Sequence, residues 1–382
     1  MNVLMIRMEK FPYGSAPAFR ASIMARLIVE SGHNLIVLAN GLNCTEDEFD
    51  LGGLKKLKLV NVEKYKNSYA KAIKSILNTY KIDLIFRPTS IHNYVDINLG
   101  IHKYHLPYVM DSVEWYDPTN WRLKKFDIRY YIFQFMWNKV FPRADGIIAI
   151  SRMIDDYYKK KLDNVVRIPT VTDCTNTDYR IKINSDEIHF IFAGCLDEGK
   201  DNILHFIEAL DRVNPIDNKL FFDIYGPELA EVQKHLDEKK YLLEKYRMNI
   251  IVHGKTEQKI VYEKCMKSDF SVFFRKNRRS ANAGFPTKLG ECMTMGTPAI
   301  TNNTGDISLV IDSGVNGFML REDSTDEICQ ILRRIINMDT QHREGMRMCA
   351  RKTAENFFDY HNYIDEIKKV FELAIKKKKE KY

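Results

Sequence analysis

The chain has 382 residues, of which 45% are hydrophobic and 12% aromatic. This length suits two domains of ordinary size, and the aromatic content excludes a disordered chain. A formal net charge of +7 fits an anionic small substrate, but the basic residues are dispersed and form no nucleic-acid recognition module.

The cysteine pattern and the residues at the amino terminus indicate where in the cell the protein is located. The seven cysteines are odd in number and form no C-x-x-C pair, which favours a reducing environment. The apolar run after Met1 is interrupted by Arg7 and Glu9, too soon for a signal peptide. No stretch has the length needed to span a bilayer. We therefore expect a cytoplasmic protein, with any membrane contact peripheral and at the inner membrane face.

The first half of the chain alternates between short apolar runs and helical patterns. "NVLMIRM" predicts a strand, "EKFPYGSAP" a loop, and "AFRASIMARLIVESG" a helix that ends at Gly32. Further strands are predicted at "NLIVLAN", "IDLIF", "LPYVMD", "ADGIIAI" and "NVVRIP", with helices over 67–80, over 122–142 and after Ser151. Continuous apolar strands that alternate with helices are typical of a parallel sheet covered on both faces.

A polar, turn-prone segment, "TVTDCTNTDYRIKINSD", follows Pro169 and is predicted to be a linker. The alternation then resumes, with strands at "IHFIFAG", "KLFFDIYG", "NIIVHG", "DFSVFF" and "TPAIT". Helices are predicted over 201–212, 228–246, 256–267, 287–295, 324–338 and 340–357, followed by a last amphipathic helix. The sequence thus predicts an α/β protein with two doubly wound domains.

Ligands of open parallel sheets bind at the carboxyl ends of strands, and three of these predicted loops contain a glycine: Gly14, Gly194 and Gly284. None of them fits G-x-G-x-x-G or a P-loop, so a nicotinamide-type fold and a P-loop NTPase are both poorly supported. Lys200, at the start of a helix, suits a pyrophosphate or is simply solvated. Glu291 lies one turn into a helix, where it either accepts ribose hydroxyls or complements the helix dipole.

Taken together in chain order, these segments resemble family 4 of the retaining glycosyltransferases, which have the GT-B fold. "PRADGIIAISRMIDDYY", "VVRIPTVTD" and "IFAGCLDEGKDN" are each similar to a family motif. The most specific match is "GFPTKLGECMTMGTPAITNNTGDISLVIDSGVNGFML". The resemblance implies two Rossmann-like domains that face each other across a cleft. The first, 1–172, would bind the acceptor, and the second, 173–357, the nucleotide-sugar donor, with 358–382 packing back on the first.

The resemblance also implies roles for individual residues. Glu291 corresponds to the second glutamate of the family's E-x7-E motif, which holds the donor ribose, and Lys200 to the lysine that meets the donor diphosphate. Gly14 and Ser15 belong to the loop that approaches this diphosphate from the first domain, and Gly194 to the loop that precedes Lys200. The segment expected to touch sugar and phosphate consists of Gly284, Phe285, Pro286, Thr287, Lys288 and Leu289.

Two positions depart from the family pattern. Ala283 stands where the first glutamate of E-x7-E is expected, and Cys195 where an arginine partner of Lys200 is expected. Lys288 is our candidate to restore a positive charge. It either points to the phosphates or pairs with Glu291, one turn further along the same helix.

A third departure lies after "LPYVMD", where the family often has a histidine and this chain has "DSVEWYDP". Asp111 and Glu114 are candidates for a general base or for orienting the sugar; the alternative for either is to cap the next turn. Arg20, on the first helix, is a candidate phosphate or acceptor contact.

The predicted function is transfer of a sugar, with retention, from a nucleotide-diphosphate donor to a saccharide acceptor, free or lipid-linked, in surface polysaccharide biosynthesis. No metal and no cofactor are expected. The alternatives are a non-catalytic nucleotide-sugar-binding subunit and a GT-B nucleotide-sugar epimerase. The basic, aromatic helix that starts at Trp121 is either a core helix with a solvated end or a contact with a bilayer that holds the acceptor.

Overall fold

The computed structural model describes residues 1–49, 57–175, 177, 179, 186–196 and 201–380. These residues form two compact units. Unit 1 contains Met1–Val171, the short segment Ala283–Phe285 and the chain from Tyr360 onward. Unit 2 contains Thr172–Asn282 and Pro286–Asp359.

Unit 1 is built on a seven-stranded parallel sheet. Its strands are β1 (Asn2–Ile6), β2 (Asn34–Ala39), β3 (Leu57–Asn61), β4 (Leu84–Pro88), β5 (Tyr108–Ser112), β6 (Gly146–Ala149) and β7 (Val165–Arg167). They lie in the order β3-β2-β1-β4-β5-β6-β7. The helices before the linker are α1 (Ala16–Glu30), α2 (Tyr69–Thr79), α3 (Tyr94–Ile101), α4 (Ile128–Phe135) and α5 (Arg152–Lys159).

Unit 2 repeats this architecture with a six-stranded sheet. The strands of unit 2 are β8 (Ile188–Ala193), β9 (Asp201–Asn202), β10 (Leu220–Tyr225), β11 (Ile250–Gly254), β12 (Phe270–Val272), β13 (Phe274–Arg275), β14 (Ala299–Asn302) and β15 (Gly317–Leu320). The parallel order is β11-β10-β8-β12-β14-β15, while β9 and β13 form a separate antiparallel pair. The helices are α6 (Leu204–Val213), α7 (Leu229–Leu236), α8 (Tyr241–Lys245), α9 (Gln258–Lys267), α10 (Arg279–Ala283), α11 (Thr287–Thr294), α12 (Thr325–Ile336) and α13 (Thr340–Phe357).

The last helix, α14 (Ile364–Glu380), belongs to unit 1. Its buried residues Ile367, Val370 and Phe371 join Val3 and Phe86 in the core on one face of the first sheet. The side-chain amide of Asn164 donates to the main-chain oxygen of Val370 at 2.9 Å. The opposite face of the same sheet is covered by α2 and α3.

The structure differs from the predicted elements where local caps interrupt a long pattern. The predicted helix over 122–142 is broken, because the Asp127 carboxylate accepts from the main-chain N–H of Arg129 and starts a new helix there. A 3-10 turn (Lys124–Phe126) precedes α4 and a π-helical turn (Met136–Val140) follows it. The helix predicted over 228–246 is likewise divided, at Asp237, which has a positive φ of 49°. Strands β3, β9 and β15 were not predicted; Asp201–Asn202, predicted to open a helix, forms β9, and the helix begins at Leu204.

Candidate functional site

Two glycines meet at the carboxyl edge of the sheet in unit 2. Gly194 follows β8 and Gly226 follows β10, and the two strands are paired along their whole length. Gly226 has a φ of +109°, and a Cβ atom on it would lie 2.0 Å from the main-chain oxygen of Gly194. Only glycine fits at this position, so the two loops approach each other backbone to backbone, with no side chain between them.

Lys288, in the first turn of α11, lies beside the loop after β8. A Cβ atom on Gly194 would be 2.6 Å from Lys288 Nζ. The ammonium group lies 4.6 Å from the ring centroid of Phe192 and 5.5 Å from that of Phe273. Its ion-pair partner is Asp201, with Nζ and Oδ2 2.5 Å apart. Lys288 is thus a cation held beside a strand end, and its carboxylate partner is not Glu291.

Glu291 lies one turn further along α11. Its carboxylate accepts a hydrogen bond from the Tyr262 hydroxyl at 2.6 Å, and that hydroxyl in turn accepts one from the Gln258 side-chain amide at 2.6 Å. Burial raises the pKa of Glu291 to about 7, although the Tyr262 hydrogen bond and the charge of Lys288 both lower it. The carboxylate is therefore poised between its charged and neutral forms near neutral pH, and one of its oxygens is fixed by Tyr262.

The segment before Lys288 is held mainly by its backbone. Ser151 Oγ donates to the main-chain oxygen of Ala283 at 2.6 Å, and Thr170 Oγ1 to that of Phe285 at 3.3 Å. These four residues all group with unit 1, as does Gly284, which is buried. In unit 2, Pro286 precedes α11, Thr287 opens it half-buried, and Leu289 is fully buried.

The loop after β1 in unit 1 has the glycine and helix start that the sequence predicted. Gly14 has a φ of +110°, and apart from its chain neighbours none of the described residues has an atom within 4 Å of the position of its missing Cβ. Ser15 caps α1 by accepting a hydrogen bond from the N–H of Ala18 at 3.3 Å. This arrangement leaves space against the backbone just before a helix amino terminus.

Asp111 and Arg20 form a buried ion pair. Arg20 donates to both carboxylate oxygens of Asp111, with Nη2 and Oδ1 2.7 Å apart, and to the main-chain oxygens of Ile168 and Pro169. Arg7 Nη1 lies 3.7 Å from the same carboxylate. Because the Asp111 side chain is buried and its charge is shared between two guanidinium groups, this geometry favours a structural role for Asp111 and Arg20 over contact with substrate.

Glu114 is the other candidate after β5, and it is half-buried. Burial raises the pKa of Tyr116, and the charge of Glu114 and a hydrogen bond between the two side chains raise it further. Glu114 is thus a carboxylate at the carboxyl edge of the sheet with a tyrosine beside it, and it is less enclosed than Asp111.

The remaining positions singled out from the sequence are Lys200 and Cys195. Lys200 lies outside the residues that the structure describes, and Cys195 is exposed. The sequence did not identify Asp201, Tyr262 or Gln258. Asp201 offered one signal, its place beside Lys200 in the glycine loop, whereas Tyr262 and Gln258 lie in a predicted helix with nothing to distinguish them.

Comparison with known proteins identifies the chemistry of unit 2. Residues 187–338 match the model of the glycosyl transferases group 1 family. The chain is a glycosyltransferase. The matched residues include Asp201, Tyr262, Lys288 and Glu291, so the Lys288–Asp201 and Glu291–Tyr262 contacts lie within the glycosyltransferase domain. No curated protein sequence matches the chain.

Solved structures share the fold over nearly the whole glycosyltransferase. A glycosyltransferase from Rickettsia africae is 14% identical, with a TM-score of 0.71, over 98% of this chain and 99% of that one. HepE from Anabaena, in complex with UDP and glucose, is 14% identical with a TM-score of 0.70, over 95% and 97%. Sucrose-phosphate synthase from Thermosynechococcus elongatus is 11% identical with a TM-score of 0.67, over 97% and 98%.

These similarities confirm the predicted fold class, two Rossmann-like parallel-sheet domains of the GT-B type. The match of residues 187–338 to the glycosyl transferases group 1 family confirms the expectation that the protein is an enzyme that transfers glycosyl groups. In the described part of the chain, no helix combines the length and apolar character that a membrane span requires.

Proposed function

We propose that this glycosyltransferase moves a sugar from a nucleotide-diphosphate donor to a saccharide acceptor with retention of the anomeric configuration. Donor binding is assigned to unit 2 and acceptor binding to unit 1. Since HepE is seen with UDP-glucose, a UDP-sugar is the first donor to test. A lipid-linked acceptor and a role in surface polysaccharide biosynthesis belong to the same proposal.

The observation that carries the proposal is the carboxylate of Glu291. One of its oxygens accepts from Tyr262 at 2.6 Å, and a carboxylate has further acceptor sites for the hydroxyls of a ribose. The residues that fix it lie on a different helix, α9, so the side chain is already oriented before a donor arrives. Such preorganisation reduces the entropy cost of binding.

Lys288 supplies the positive charge that the leaving group requires. During transfer, the bond from the anomeric carbon to the β-phosphate oxygen breaks, and a bond to the acceptor hydroxyl oxygen forms. The bonding electrons stay on the phosphate, where negative charge develops, and a nearby ammonium group stabilises it. In this proposal Lys288 exchanges Asp201 for the diphosphate, and Lys200 keeps the diphosphate contact that the family resemblance implies.

On the acceptor side, we assign the role near the reacting hydroxyl to Glu114 instead of Asp111. The Asp111 carboxylate is already occupied by Arg20, whereas Glu114 is half-buried at the same strand end. Glu114 orients the acceptor hydroxyl, and the proton of that hydroxyl passes to the leaving phosphate in front-side transfer.

The test combines donor binding with turnover. Thermal shift against UDP-, GDP-, ADP- and dTDP-sugars identifies the donor, because a ligand that binds only the folded state raises its stability. Glu291→Gln should then weaken donor binding about tenfold to a hundredfold, since hydrogen bonds to a charged group are lost. The matched control is Glu263→Gln, an exposed carboxylate on α9 next to Tyr262, which should bind the donor as the unmodified protein does.

Product analysis tests the chemical part of the proposal. With the donor identified, an acceptor panel is incubated and the anomeric configuration of each product is read by NMR. A product of inverted configuration contradicts retention. Donor binding without turnover on any acceptor favours a non-catalytic binding subunit, and appearance of an epimerised donor without acceptor favours an epimerase.

A further inference from the structure

An unusual apolar surface lies in unit 1, in the crossover between β5 and β6. Six large apolar side chains of this segment are between 45% and 80% exposed: Leu123, Phe126, Ile128, Tyr131, Ile132 and Phe135. We call them the 123–135 surface. A cluster of this size and continuity on one short segment is typical of an interaction site.

The surface is a continuous feature. Ile128, Tyr131, Ile132 and Phe135 have the i, i+3, i+4, i+7 spacing of a single helical face. The 3-10 turn that precedes α4 is fixed beside this face, because the Tyr131 hydroxyl donates to the main-chain oxygen of Lys125 at 2.8 Å. Leu123 and Phe126 therefore extend the same surface.

Exposure of this face does not come from a loosely packed helix. On the opposite face, Phe133 is buried and packs on Tyr116 and Trp137, with ring centroids 5.0 and 5.5 Å apart. The Asp127 cap and its ion pair with Arg129, 2.6 Å from Nη2 to Oδ2, fix the start of the helix. Thus α4 is anchored by one apolar face and presents a second one outward.

Charge indicates what covers the outward face. Between 121 and 139 the sequence has five basic residues and a single acidic one, and that acid, Asp127, is paired with Arg129. The exposed residues Arg122, Lys124 and Lys125 border the apolar side chains at the amino-terminal end, and exposed Lys139 follows α4. Basic residues around an apolar helical face match the interface of an anionic bilayer.

We propose that the 123–135 surface docks unit 1 on the surface of an anionic membrane, with its apolar side chains inserted at the level of the lipid headgroups. A second copy of the chain is the less suitable partner, because a two-fold dimer would bring two basic rims together.

The experiment measures sedimentation of the full chain with vesicles, without nucleotide-sugar or acceptor. Vesicles of phosphatidylcholine alone are compared with vesicles that also contain phosphatidylglycerol, at low and at high salt. The protein should bind the anionic vesicles, and salt should weaken the binding. The paired substitution Ile128→Glu with Phe135→Glu should lower the partition coefficient at least about a hundredfold, because two inserted apolar side chains are lost.

Matched variants separate the surface from general hydrophobicity and charge. Met248→Glu with Met348→Glu replaces two exposed apolar residues of unit 2 and should bind vesicles as the unmodified protein does. Lys124→Gln with Lys125→Gln should weaken binding to anionic vesicles by about fivefold per lysine and leave the weak binding to phosphatidylcholine unchanged. Thermal unfolding of each variant shows whether it is folded.

Three results would overturn the proposal. They are no binding of the unmodified protein to anionic vesicles, equal binding by the folded Ile128→Glu, Phe135→Glu variant, and a dimer in light scattering that this variant converts to monomer. The last result would assign the surface to a second copy. Because vesicle binding is measured without donor, its failure leaves the donor-binding proposal intact, and failure of donor binding leaves this proposal intact.

Discussion

If Glu291 contacts the donor ribose as proposed, its pKa makes donor binding depend on pH, and this dependence distinguishes a ribose contact from a structural carboxylate. Burial raises this pKa to about 7, so the group is mostly protonated at pH 6 and mostly ionised at pH 8. If only the carboxylate accepts the donor hydroxyls, affinity is proportional to the ionised fraction. Affinity should therefore rise about tenfold between pH 6 and pH 8.

Two variants test the origin of this change. Glu291→Gln removes the titrating group, so its donor affinity should be low and nearly independent of pH. Tyr262→Phe removes a hydrogen bond that lowers the pKa of Glu291; loss of a bond to a charged group should move the midpoint up by about one pH unit. Gln258 remains in place in both variants.

The assay is titration calorimetry of a UDP-sugar at a series of pH values, in buffers of different ionisation enthalpy. A nucleotide-sugar suits this purpose because its diphosphate is esterified at both ends and has no proton to release in this range. Binding near pH 6 should release a proton from Glu291. A flat profile for the unmodified protein, or the same profile in Glu291→Gln, would refute the assignment of Glu291 to the donor.

The same ionisation affects stability without any ligand. Because the folded-state pKa lies above the usual value of 4.5, the folded protein binds more protons than the unfolded chain between these two pH values. The stabilisation is complete below about pH 4.5 and is lost as the pH rises through 7, by up to about 3 kcal/mol. Urea unfolding at several pH values should show this loss in the unmodified protein, and Glu291→Gln should lack this part of it.

Three further substitutions and one control variant test individual contacts of the structure. Gly226→Ala places a Cβ atom against backbone at a positive φ and should cost about 1 to 3 kcal/mol in urea unfolding. The control is Gly345→Ala, at an exposed helical position with space among the described residues for a Cβ atom. It should be neutral or stabilise by up to about 1 kcal/mol. Asp201→Asn removes the competing partner of Lys288 and should tighten UDP-sugar binding about threefold to tenfold by calorimetry; unchanged or weaker binding would count against the exchange of partners. Asp111→Ala removes the carboxylate that pairs with the buried Arg20 guanidinium and should lower the free energy of unfolding by about 3 to 5 kcal/mol.

Local features of the fold could be predicted from the sequence because they depend on neighbouring residues. Ser15 caps the start of α1, as expected of a serine, and Gly32, with a positive φ, follows its end, as expected of a glycine. The continuous apolar runs at β1 and β6 predicted a buried parallel sheet. The broken helix at 122–142 was missed because Asp127, a single cap residue, divides a segment whose composition is helical on both sides.

The contacts of the site depend on pairs far apart in the chain, and these were not predictable from spacing. Lys288 and Glu291 are three residues apart, so a pair between them was one of the two alternatives for Lys288. Instead each has a partner from another element, Asp201 for the lysine and Tyr262 for the glutamate. The i, i+3 rule describes what two side chains can reach on an isolated helix, and it is overridden where the sheet brings other groups closer.

The position of Lys288 also bears on the two departures from the family pattern. The arginine expected at 195 would place a cation directly after Gly194, and Cys195 cannot do so. Lys288 Nζ lies beside Gly194, so we infer that Lys288 on α11 supplies the positive charge that Cys195 lacks. No such replacement follows for the glutamate expected at 283. Ala283 is fully buried and its main-chain oxygen accepts from Ser151, so a carboxylate at this position would have to be accommodated without solvent. If the chain binds a nucleotide-sugar here as proposed, the sugar would be held by backbone groups or by residues other than the acid that the family resemblance implies, and its sugar specificity should differ accordingly from that of enzymes that have this acid.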